Sequence, residues 1–345
     1  MKTAVFEKAG KVGIENVDKP TIQANDDAII KVVRTCVCGS DLWAYRGLEE
    51  KAAHSENSGH EAIGIVDSVG SEITTVKPGD FVIAPFTHGC GHCAACLAGF
   101  DGDCQSHDDN FSNGVQSEYV RFQHADWALI KVPGQPADYS DEMLNSLLSL
   151  ADVMATGYHA ARVANVKTGD TVVVVGDGAV GLCGVIAAKL RGAKRIIAMS
   201  RHEDRQKLAI EFGATDIIAE RGDEAVEKVM ALTNNAGADA VLECVGTEQS
   251  NDTAMKAGRP GAIVGRVGLP HEPKMDMSSS FYKNTIIAGG PASVTTYDKQ
   301  ILLKAVLDGD IHPGKVFTKS FKLDDIDNAY QAMAKREAIK SLVIV

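Results

Sequence analysis

Short apolar runs separated by glycine and proline fill the first half of the chain. Alternating apolar and polar positions rich in valine and isoleucine are typical of β-strands, because successive side chains point to opposite faces. The pattern predicts strands at residues 28–35, 62–69 and 81–85, and the run KPGD at 77–80 predicts a turn. We therefore expect a mostly β domain of barrel type.

From residue 170 onward the pattern becomes strand, glycine-rich loop, helix and strand. The β-branched run Thr171–Val175 predicts a buried strand, residues 180–191 have helical periodicity, and Arg195–Met199 predicts the next strand. Apolar runs at 240–244 and 262–264 add two more strands. Alternating strands and helices imply a doubly wound parallel sheet, so the fold class is α/β.

The C-terminal tail again mixes helices and strands. Helical patterns occupy residues 301–307 and 326–334, and strand patterns occupy residues 316–321 and 342–345. We expect this tail to return to the first domain.

Length, charge and cysteine content limit the function classes. A chain of 345 residues suggests about two domains, and its net charge of −11 argues against a nucleic-acid surface. No apolar stretch approaches the roughly 18 residues of a membrane span, and the N-terminus lacks the apolar core of a signal peptide. Eight cysteines then indicate reduced thiols and metal binding. We expect a cytoplasmic protein with no nucleic-acid or membrane partner.

The densest cluster of metal ligands in the sequence consists of four cysteines: Cys90, Cys93, Cys96 and Cys104. Their spacing, C-x2-C-x2-C-x7-C, allows four thiolates to converge on one tetrahedral Zn²⁺. Four protein ligands leave no open position for a substrate. The motif therefore predicts a structural zinc site, and the chemistry must lie elsewhere.

A glycine-rich loop, G-x-G-x-x-G at residues 176–181, follows the strand Thr171–Val175 and precedes a helix. The missing side chains permit a tight turn and close approach of a pyrophosphate to the helix N-terminus. We predict a dinucleotide site, with an ordinary βα turn as the alternative. The predicted cofactor-binding residues of the loop are Gly176, Gly178, Ala179, Val180 and Gly181.

The end of the second strand bears on the choice between NAD and NADP. An acidic residue about 20 positions beyond the glycines would bind the ribose hydroxyls of NAD. Here Ser200 and Arg201 stand at this place, ahead of the first carboxylate, Glu203. A hydroxyl followed by a guanidinium suits a 2′-phosphate, although a surface arginine is the alternative. We predict NADP rather than NAD, with Val245 and Val267 as further cofactor contacts.

A second set of candidate metal ligands consists of Cys38, His60 and Glu61. Cysteine, histidine and carboxylate together can bind Zn²⁺, and three protein ligands with one free position define a catalytic site. Each residue alone also fits an ordinary role: Cys38 in the core, His60 in a loop and Glu61 as a solvated charge. Spacing alone leaves this choice open.

In their order along the chain, four motifs resemble the zinc-dependent medium-chain alcohol dehydrogenases, in their bacterial NADP-dependent branch. These motifs are CGSD at 38–41, GHE at 59–61, the cysteine quartet and the glycine loop. The resemblance covers nearly the whole chain. It implies a GroES-like β-barrel catalytic domain of residues 1–155 and 291–345, with a Rossmann domain of residues 156–290 inserted between them.

The resemblance also implies roles for individual residues. Cys38 and His60 match two ligands of a catalytic zinc, and Asp152, which precedes the run TGYHA, matches the third. Glu61 matches a carboxylate that can join this zinc when substrate is absent. Ser40 would hydrogen-bond the substrate oxygen and pass its proton outward. With the quartet, this implies two zinc ions per chain, and the family implies a homodimer or homotetramer.

One position departs from the family pattern. Many members carry a histidine five residues after the first ligand, where it ends the proton relay, and this chain carries Trp43. Tryptophan cannot relay a proton. Trp43, like Phe111 and Met154, therefore either lines the substrate pocket or packs against other apolar side chains. His54 and His159 are the histidines to examine, with a structural role favoured for each.

We therefore predict an oxidoreductase that transfers a hydride between NADP and a small-molecule alcohol, either secondary or small primary. The reverse reaction would reduce aldehydes or ketones. A polyol or amino-alcohol dehydrogenase is the alternative among enzymes, since the motifs are shared across substrates. A non-catalytic NADP(H)-binding zinc protein is the alternative outside enzymes.

Overall fold

The chain divides into two compact units. The computed structural model describes residues 1–54, 58–106, 110–270, 277–292 and 296–345. Unit 1 comprises Met1–Asp152 and Ser293–Val345, and unit 2 comprises Val153–Ala292. The C-terminal tail therefore belongs to the same unit as the N-terminal half.

Strands and helices are numbered in chain order. The strands are β1 (Lys2–Lys8), β2 (Lys11–Asn16), β3 (Ala28–Cys36), β4 (Ala62–Val69), β5 (Phe81–Ala84), β6 (Tyr119–Phe122), β7 (Ile130–Val132), β8 (Thr171–Val175), β9 (Arg195–Met199), β10 (Asp216–Ile218), β11 (Ala238–Glu243), β12 (Gly258–Arg266), β13 (Ile286–Gly289), β14 (Phe317–Lys322) and β15 (Lys340–Ile344). The helices are α1 (Leu42–Tyr45), α2 (Ala94–Leu97), α3 (Ala125–Ala128), α4 (Asp141–Ser149), α5 (Val153–Val163), α6 (Ala179–Leu190), α7 (Glu203–Phe212), α8 (Gly222–Leu232), α9 (Glu248–Ala257), α10 (Met277–Lys283), α11 (Thr296–Leu307) and α12 (Ile326–Ala334).

Unit 1 is built on a seven-stranded sheet. Its order is β14-β15-β3-β4-β5-β7, and β6 also pairs with β3. The central strand β3 runs antiparallel to β4, β6 and β15, and its side chains Ile30 and Val32 join a core that includes Val66 and Val82. The mostly β, barrel-type domain predicted from the alternating pattern is confirmed.

Unit 2 is a doubly wound α/β sheet. All neighbouring strands are parallel in the order β10-β9-β8-β11-β12-β13. The chain starts at β8 in the centre, moves outward to β10, and then continues on the other side with β11. In such sheets ligands bind at the carboxyl ends of the strands where the order reverses, which here is between β8 and β11. The predicted fold class is therefore confirmed.

Several element boundaries differ from the sequence-based prediction. β12 is nine residues long, whereas three were predicted, because arginine and glycine residues around Pro260 hide its first half from the apolar pattern. α11 begins at residue 296, five residues earlier than predicted, since Asp298 and Lys299 mask the helical period. β14 begins at Phe317, after a 3-10 turn at Pro313–Val316. Among the described residues no helix is both long and apolar enough to cross a membrane.

Candidate active site

The register of β3 and β4 brings three predicted ligands together. β3 ends two residues before Cys38, and β4 begins directly after Glu61. The strands are antiparallel, with Thr35 opposite Ala62. Residues beyond the end of β3 therefore face those that precede β4, and Cys38 lies beside His60 and Glu61.

Asp152 reaches the same place from the segment after α4. The main-chain oxygen of Ala151 accepts a hydrogen bond from the N–H of Phe86 at 2.9 Å. Phe86 follows β5, which pairs with β4 at this end of the sheet. Its ring also packs against that of His60, with the centroids 5.8 Å apart. A segment distant in sequence is thus fixed beside the strand ends.

Four potential ligand side chains converge here, with one ligand atom of each within 4.8 Å of the others: Cys38, His60, Glu61 and Asp152. Asp152 Oδ2 lies 3.4 Å from both Cys38 Sγ and His60 Nε2. His60 Nε2 lies 3.8 Å from Glu61 Oε1. The structure thus brings together all four residues that were predicted as metal ligands of this site.

The charges of this cluster favour a bound cation. Burial alone would lower the pKa of His60, but the charge of Cys38 and a hydrogen bond with Asp152 raise it well above the usual value. Glu61 Oε2 is buried without a hydrogen-bond partner among the described residues. Thiolate, imidazole and carboxylate are the ligands that Zn²⁺ takes in proteins. The four residues of this cluster therefore fit a zinc ion.

Two residues to which the sequence analysis gave no role support the ligands. Asp41 Oδ2 accepts a hydrogen bond from the Cys38 N–H at 2.9 Å, and Asp41 Oδ1 lies 3.8 Å from His60 Nδ1. Gln116 Nε2 lies 3.5 Å from Asp41 Oδ2, and Gln116 Oε1 accepts the Tyr330 hydroxyl at 2.9 Å. Such contacts fix the orientation of metal ligands. The CGSD motif contains Asp41, whereas no local signal marks Gln116.

Lys340 is a further partner that sequence reasoning missed. β15 runs antiparallel to β3, with Leu342 opposite Cys36, so Lys340 extends past the end of β3. Its Nζ donates to Glu61 Oε1 at 2.6 Å and to the Val37 oxygen at 3.2 Å, in a fully buried site. Burial alone would lower the pKa of Lys340, but its electrostatic interactions with Cys36 and Glu61 raise it well above the usual value. The ammonium group thus anchors one oxygen of Glu61.

Ser40 and Trp43 lie on the chain directly after Cys38. Ser40 is exposed, and its main-chain oxygen accepts the Trp43 N–H at 3.2 Å at the start of α1. Trp43 is half-buried. Phe111 is 42% exposed and packs on Phe86, whose ring contacts His60. Ser40 is thus open to solvent, and Phe111 is connected to the site through Phe86.

The histidines singled out in the sequence make other contacts. His54 is exposed, and its Nδ1 lies 2.6 Å from Glu15 Oε1. His159 belongs to α5 of unit 2, where its Nδ1 lies 3.2 Å from Arg162 Nη2. Met154, at the start of the same helix, is fully buried. These contacts fit the structural role that the sequence analysis favoured for the two histidines.

The cysteine quartet also converges, with its four sulfur atoms within 4.8 Å of one another. Cys93 Sγ and Cys104 Sγ are 3.8 Å apart, about the spacing of two sulfurs on a tetrahedral zinc. The Gln105 N–H donates to Cys93 Sγ at 3.4 Å. This amide, followed by that of Cys96, lowers the pKa of Cys93 to about 6. Burial instead raises the pKa of Cys96. The fit to a closed, structural zinc site therefore comes from the convergence of the four sulfurs, which bind zinc as thiolates.

In unit 2 the glycine loop lies at the carboxyl end of β8. Gly176 has a φ of +114°, and a Cβ at Gly181 would lie 2.0 Å from the Gly176 oxygen. Both positions therefore require glycine. Gly178 caps the N-terminus of α6, and a Cβ there would meet nothing within 4 Å. This open space beside a helix N-terminus fits a pyrophosphate.

The other predicted cofactor residues surround this loop. Ala179 and Val180 form the first turn of α6, and both are half-buried. Val245, which follows β11, is 42% exposed, and Val267 follows β12. Because β8, β11 and β12 are parallel, these residues all lie at one edge of the sheet. The arrangement fits a dinucleotide that extends along this edge.

Residues at the end of β9 bind an acidic side chain of the glycine loop, Asp177, to which the sequence assigned no role. Ser200 is buried, and its hydroxyl donates to Asp177 Oδ2 at 2.9 Å. The Arg201 N–H donates to the same oxygen at 3.3 Å, while the Arg201 residue is exposed. Arg205 Nη1 lies 3.2 Å from Asp177 Oδ1. Asp177 escaped notice because it fills a variable position of the glycine motif.

Comparison with known proteins covers both units. Residues 24–134 match the family described as alcohol dehydrogenase GroES-like domain, and residues 179–300 match the family described as zinc-binding dehydrogenase. The NADP-dependent isopropanol dehydrogenase of Clostridium beijerinckii is 31% identical, across 100% of both chains. The chain belongs to the zinc-dependent medium-chain dehydrogenase family.

Two further similarities extend this result. The dehydrogenase is 34% identical to zinc-type alcohol dehydrogenase B of Aspergillus flavus, over 88% of this chain and 72% of that one. The solved structure of alcohol dehydrogenase TADH from Thermus sp. ATN1 matches with a TM-score of 0.89 at 30% identity, over 100% of both chains. The family and the fold predicted from the sequence are confirmed, and the dehydrogenase is an alcohol oxidoreductase of the zinc type.

Proposed function

We propose that this dehydrogenase transfers a hydride between a secondary or small primary alcohol and NADP, and reduces the matching ketone or aldehyde in reverse. The observation that carries the proposal is the set of four potential zinc ligands within 4.8 Å of one another in unit 1. The C. beijerinckii relative is by name an NADP-dependent isopropanol dehydrogenase, which supports a secondary alcohol and NADP.

Four residues of the site have separate parts in the proposed reaction: Cys38, His60, Asp152 and Ser40. Cys38, His60 and Asp152 would hold the zinc ion. When bound, zinc is a Lewis acid that makes an alcohol hydroxyl more acidic. Ser40 would accept a hydrogen bond from that hydroxyl and act as a relay, passing its own proton to water as it takes up the proton of the substrate. Because Ser40 is exposed, this release needs no base at the position of Trp43.

We further propose two zinc ions per chain, one at Cys38, His60 and Asp152 and one at the quartet. Metal analysis of the purified protein measures this number directly. One zinc per chain would indicate that only the structural site is filled, as expected for a non-catalytic NADP(H)-binding protein.

A substrate screen tests the activity. We expect the highest kcat/KM for secondary or small primary alcohols among primary, secondary, polyhydroxy and amino alcohols, each assayed with NADP and NAD. A polyol or an amino alcohol as the best substrate would support the alternative enzyme. Absence of turnover by protein that carries both zinc ions would support the non-catalytic alternative.

Substitution of Arg201 tests the cofactor. Arg201→Ala is expected to raise the KM for NADP about tenfold and the KM for NAD less than about threefold, because a charge-assisted bond to the 2′-phosphate is lost. The control is Arg259→Ala, which removes an exposed arginine that pairs with Asp239 at the amino end of β11. Equal effects of Arg201→Ala on both cofactors would contradict the 2′-phosphate role.

We also propose a homo-oligomer joined through unit 2. In the part of the chain that the structure describes, β13 is an edge strand of the sheet, and Ile286 on it is 52% exposed. Phe281 and Tyr282, on the preceding helix α10, are 77% and 83% exposed. An open strand edge beside exposed apolar side chains suits pairing with a second copy of the chain.

Charges placed on this edge are expected to prevent assembly. The double variant Ile286→Lys/Tyr282→Asp should sediment as a smaller species than the wild type in sedimentation velocity. Ile210→Lys, at an exposed apolar position on α7, is the matched control and should leave the assembly unchanged. A wild-type monomer, or a double variant that assembles normally, would contradict this interface.

We propose a cytoplasmic location. All eight cysteines are free thiols, and the two clusters fit zinc only while their sulfurs are reduced. Cell fractionation checks the location, and recovery of the protein from an oxidising compartment would contradict it.

A further inference from the structure

We infer that Asp177 is a positioning residue of the dinucleotide site and that its carboxylate sets the preference between NADP and NAD. This inference rests on the proposed use of NADP. Asp177 stands between Gly176 and Gly178, at a position of the glycine motif to which the motif assigns no side-chain role.

The Asp177 side chain joins three separate segments of unit 2. Its Oδ2 accepts the Ser200 hydroxyl at 2.9 Å and the Arg201 N–H at 3.3 Å, both just beyond the end of β9. Arg205, in the first turn of α7, places Nη1 3.2 Å from Asp177 Oδ1 and 3.1 Å from the Asp177 main-chain oxygen. The Asp177 and Arg205 side chains are only 16% and 14% exposed. This is a partly buried cluster and not a loose surface pair.

The hydrogen bonds of Ser200 determine what it can offer a cofactor. An ionised carboxylate only accepts, so the Ser200 hydroxyl gives its single proton to Asp177. Ser200 Oγ can still accept a hydrogen bond from a ribose hydroxyl, but it has no further proton to donate to a phosphate. Recognition of a 2′-phosphate therefore depends on the guanidinium groups of Arg201 and Arg205, and not on the serine.

The Asp177 carboxylate orients the Arg201 and Arg205 residues without neutralising both of their charges. Within this cluster, two guanidinium groups outnumber the single carboxylate of Asp177, and the neighbouring Glu203 is paired with Lys207 at 2.7 Å. Arginine binds phosphate well when its planar fork is held in a fixed geometry. Asp177 fixes the main chain of Arg201 and the side chain of Arg205. Loss of its charge should therefore weaken binding of a cofactor with a 2′-phosphate more than binding of one with a 2′-hydroxyl.

Direct binding measurements test the inference independently of turnover. NADPH and NADH are titrated into zinc-loaded wild type, Asp177→Asn and Asp177→Ala, with nucleotide fluorescence and calorimetry as readouts. For both variants we expect the Kd of NADPH to rise about tenfold and that of NADH less than about threefold. Asp177→Asn keeps the shape of the side chain, so it remains informative if Asp177→Ala folds poorly.

The control is Asp216→Asn. Asp216 pairs with Arg195 through two contacts of 2.8 and 2.9 Å at the opposite end of β9, so this variant loses an equivalent pair away from the site. Its NADPH to NADH affinity ratio should match the wild type. Tighter NADPH binding by Asp177→Asn would show that the carboxylate repels phosphate, and an unchanged ratio would show a purely structural role. Either result overturns the inference.

The same titrations separate this inference from the proposed cofactor. The wild-type ratio of affinities tests whether the enzyme prefers NADP. The change of that ratio between wild type and Asp177→Asn tests the role of Asp177, whichever cofactor the wild type prefers.

Discussion

Asp152→Ala should leave a folded protein that oxidises its alcohol about 1,000-fold more slowly than the wild type. A catalytic metal supplies several kcal/mol of transition-state stabilisation, and each 1.36 kcal/mol corresponds to tenfold in rate, so loss of about 4 kcal/mol gives this factor. Asp152 Oδ2 lies 3.4 Å from both Cys38 Sγ and His60 Nε2, so its removal leaves only two of the three proposed ligands beside Glu61. The zinc content should fall from two ions per chain to one.

The zinc-free form of this variant should be no less stable than zinc-free wild type. Removal of Asp152 relieves its repulsion with Glu61 and also costs its hydrogen bond with His60 Nε2 at 3.4 Å, so the two effects offset each other. Asp152→Cys restores a zinc ligand and should recover part of the metal and of the activity. Asp67→Ala, which removes a carboxylate from an exposed pair with Lys19, is the control. Full activity of Asp152→Ala would refute the assignment of the third ligand.

Local patterns in the sequence predict the strands and the glycine loop well. β4, β8 and β9 have the predicted bounds, because a β-branched or alternating run is itself the cause of a strand. The requirement for glycine at residues 176 and 181 is equally local, since it follows from backbone contacts within the turn. These features depend on neighbours within a few residues.

The proposed zinc site depends instead on contacts that no local pattern records. Cys38 and His60 meet because β3 pairs with β4 in one register, and Asp152 joins them through a main-chain bond after β5. Asp152 could be predicted as a ligand only from the order of motifs that is typical of the family. Lys340, which is 279 residues from Glu61 in sequence, belongs to no such motif and could not be found.

Lys340→Met should lower the free energy of unfolding by about 3–5 kcal/mol, because it leaves a buried carboxylate without its partner. Lys340 Nζ and Glu61 Oε1 are 2.6 Å apart, and both side chains are only 1% exposed. Water therefore cannot replace the lost ammonium group. Urea unfolding of the zinc-free protein at equal ionic strength measures the loss, since a bound metal would otherwise compensate part of the charge.

A second substitution separates the lost charge from the lost shape. Glu61→Gln removes the charge of the carboxylate, so the double variant Lys340→Met/Glu61→Gln should regain most of the stability that Lys340→Met loses. Lys319→Met is the control, because Lys319 pairs with Glu337 at 2.9 Å on the surface, and it should cost less than about 1 kcal/mol. If Lys340→Met unfolds at the same urea concentration as this control, Lys340 is not the charge partner of Glu61. If the double variant is no more stable than Lys340→Met alone, the loss comes from packing, and the ammonium group does not hold the carboxylate beside the proposed zinc ligands.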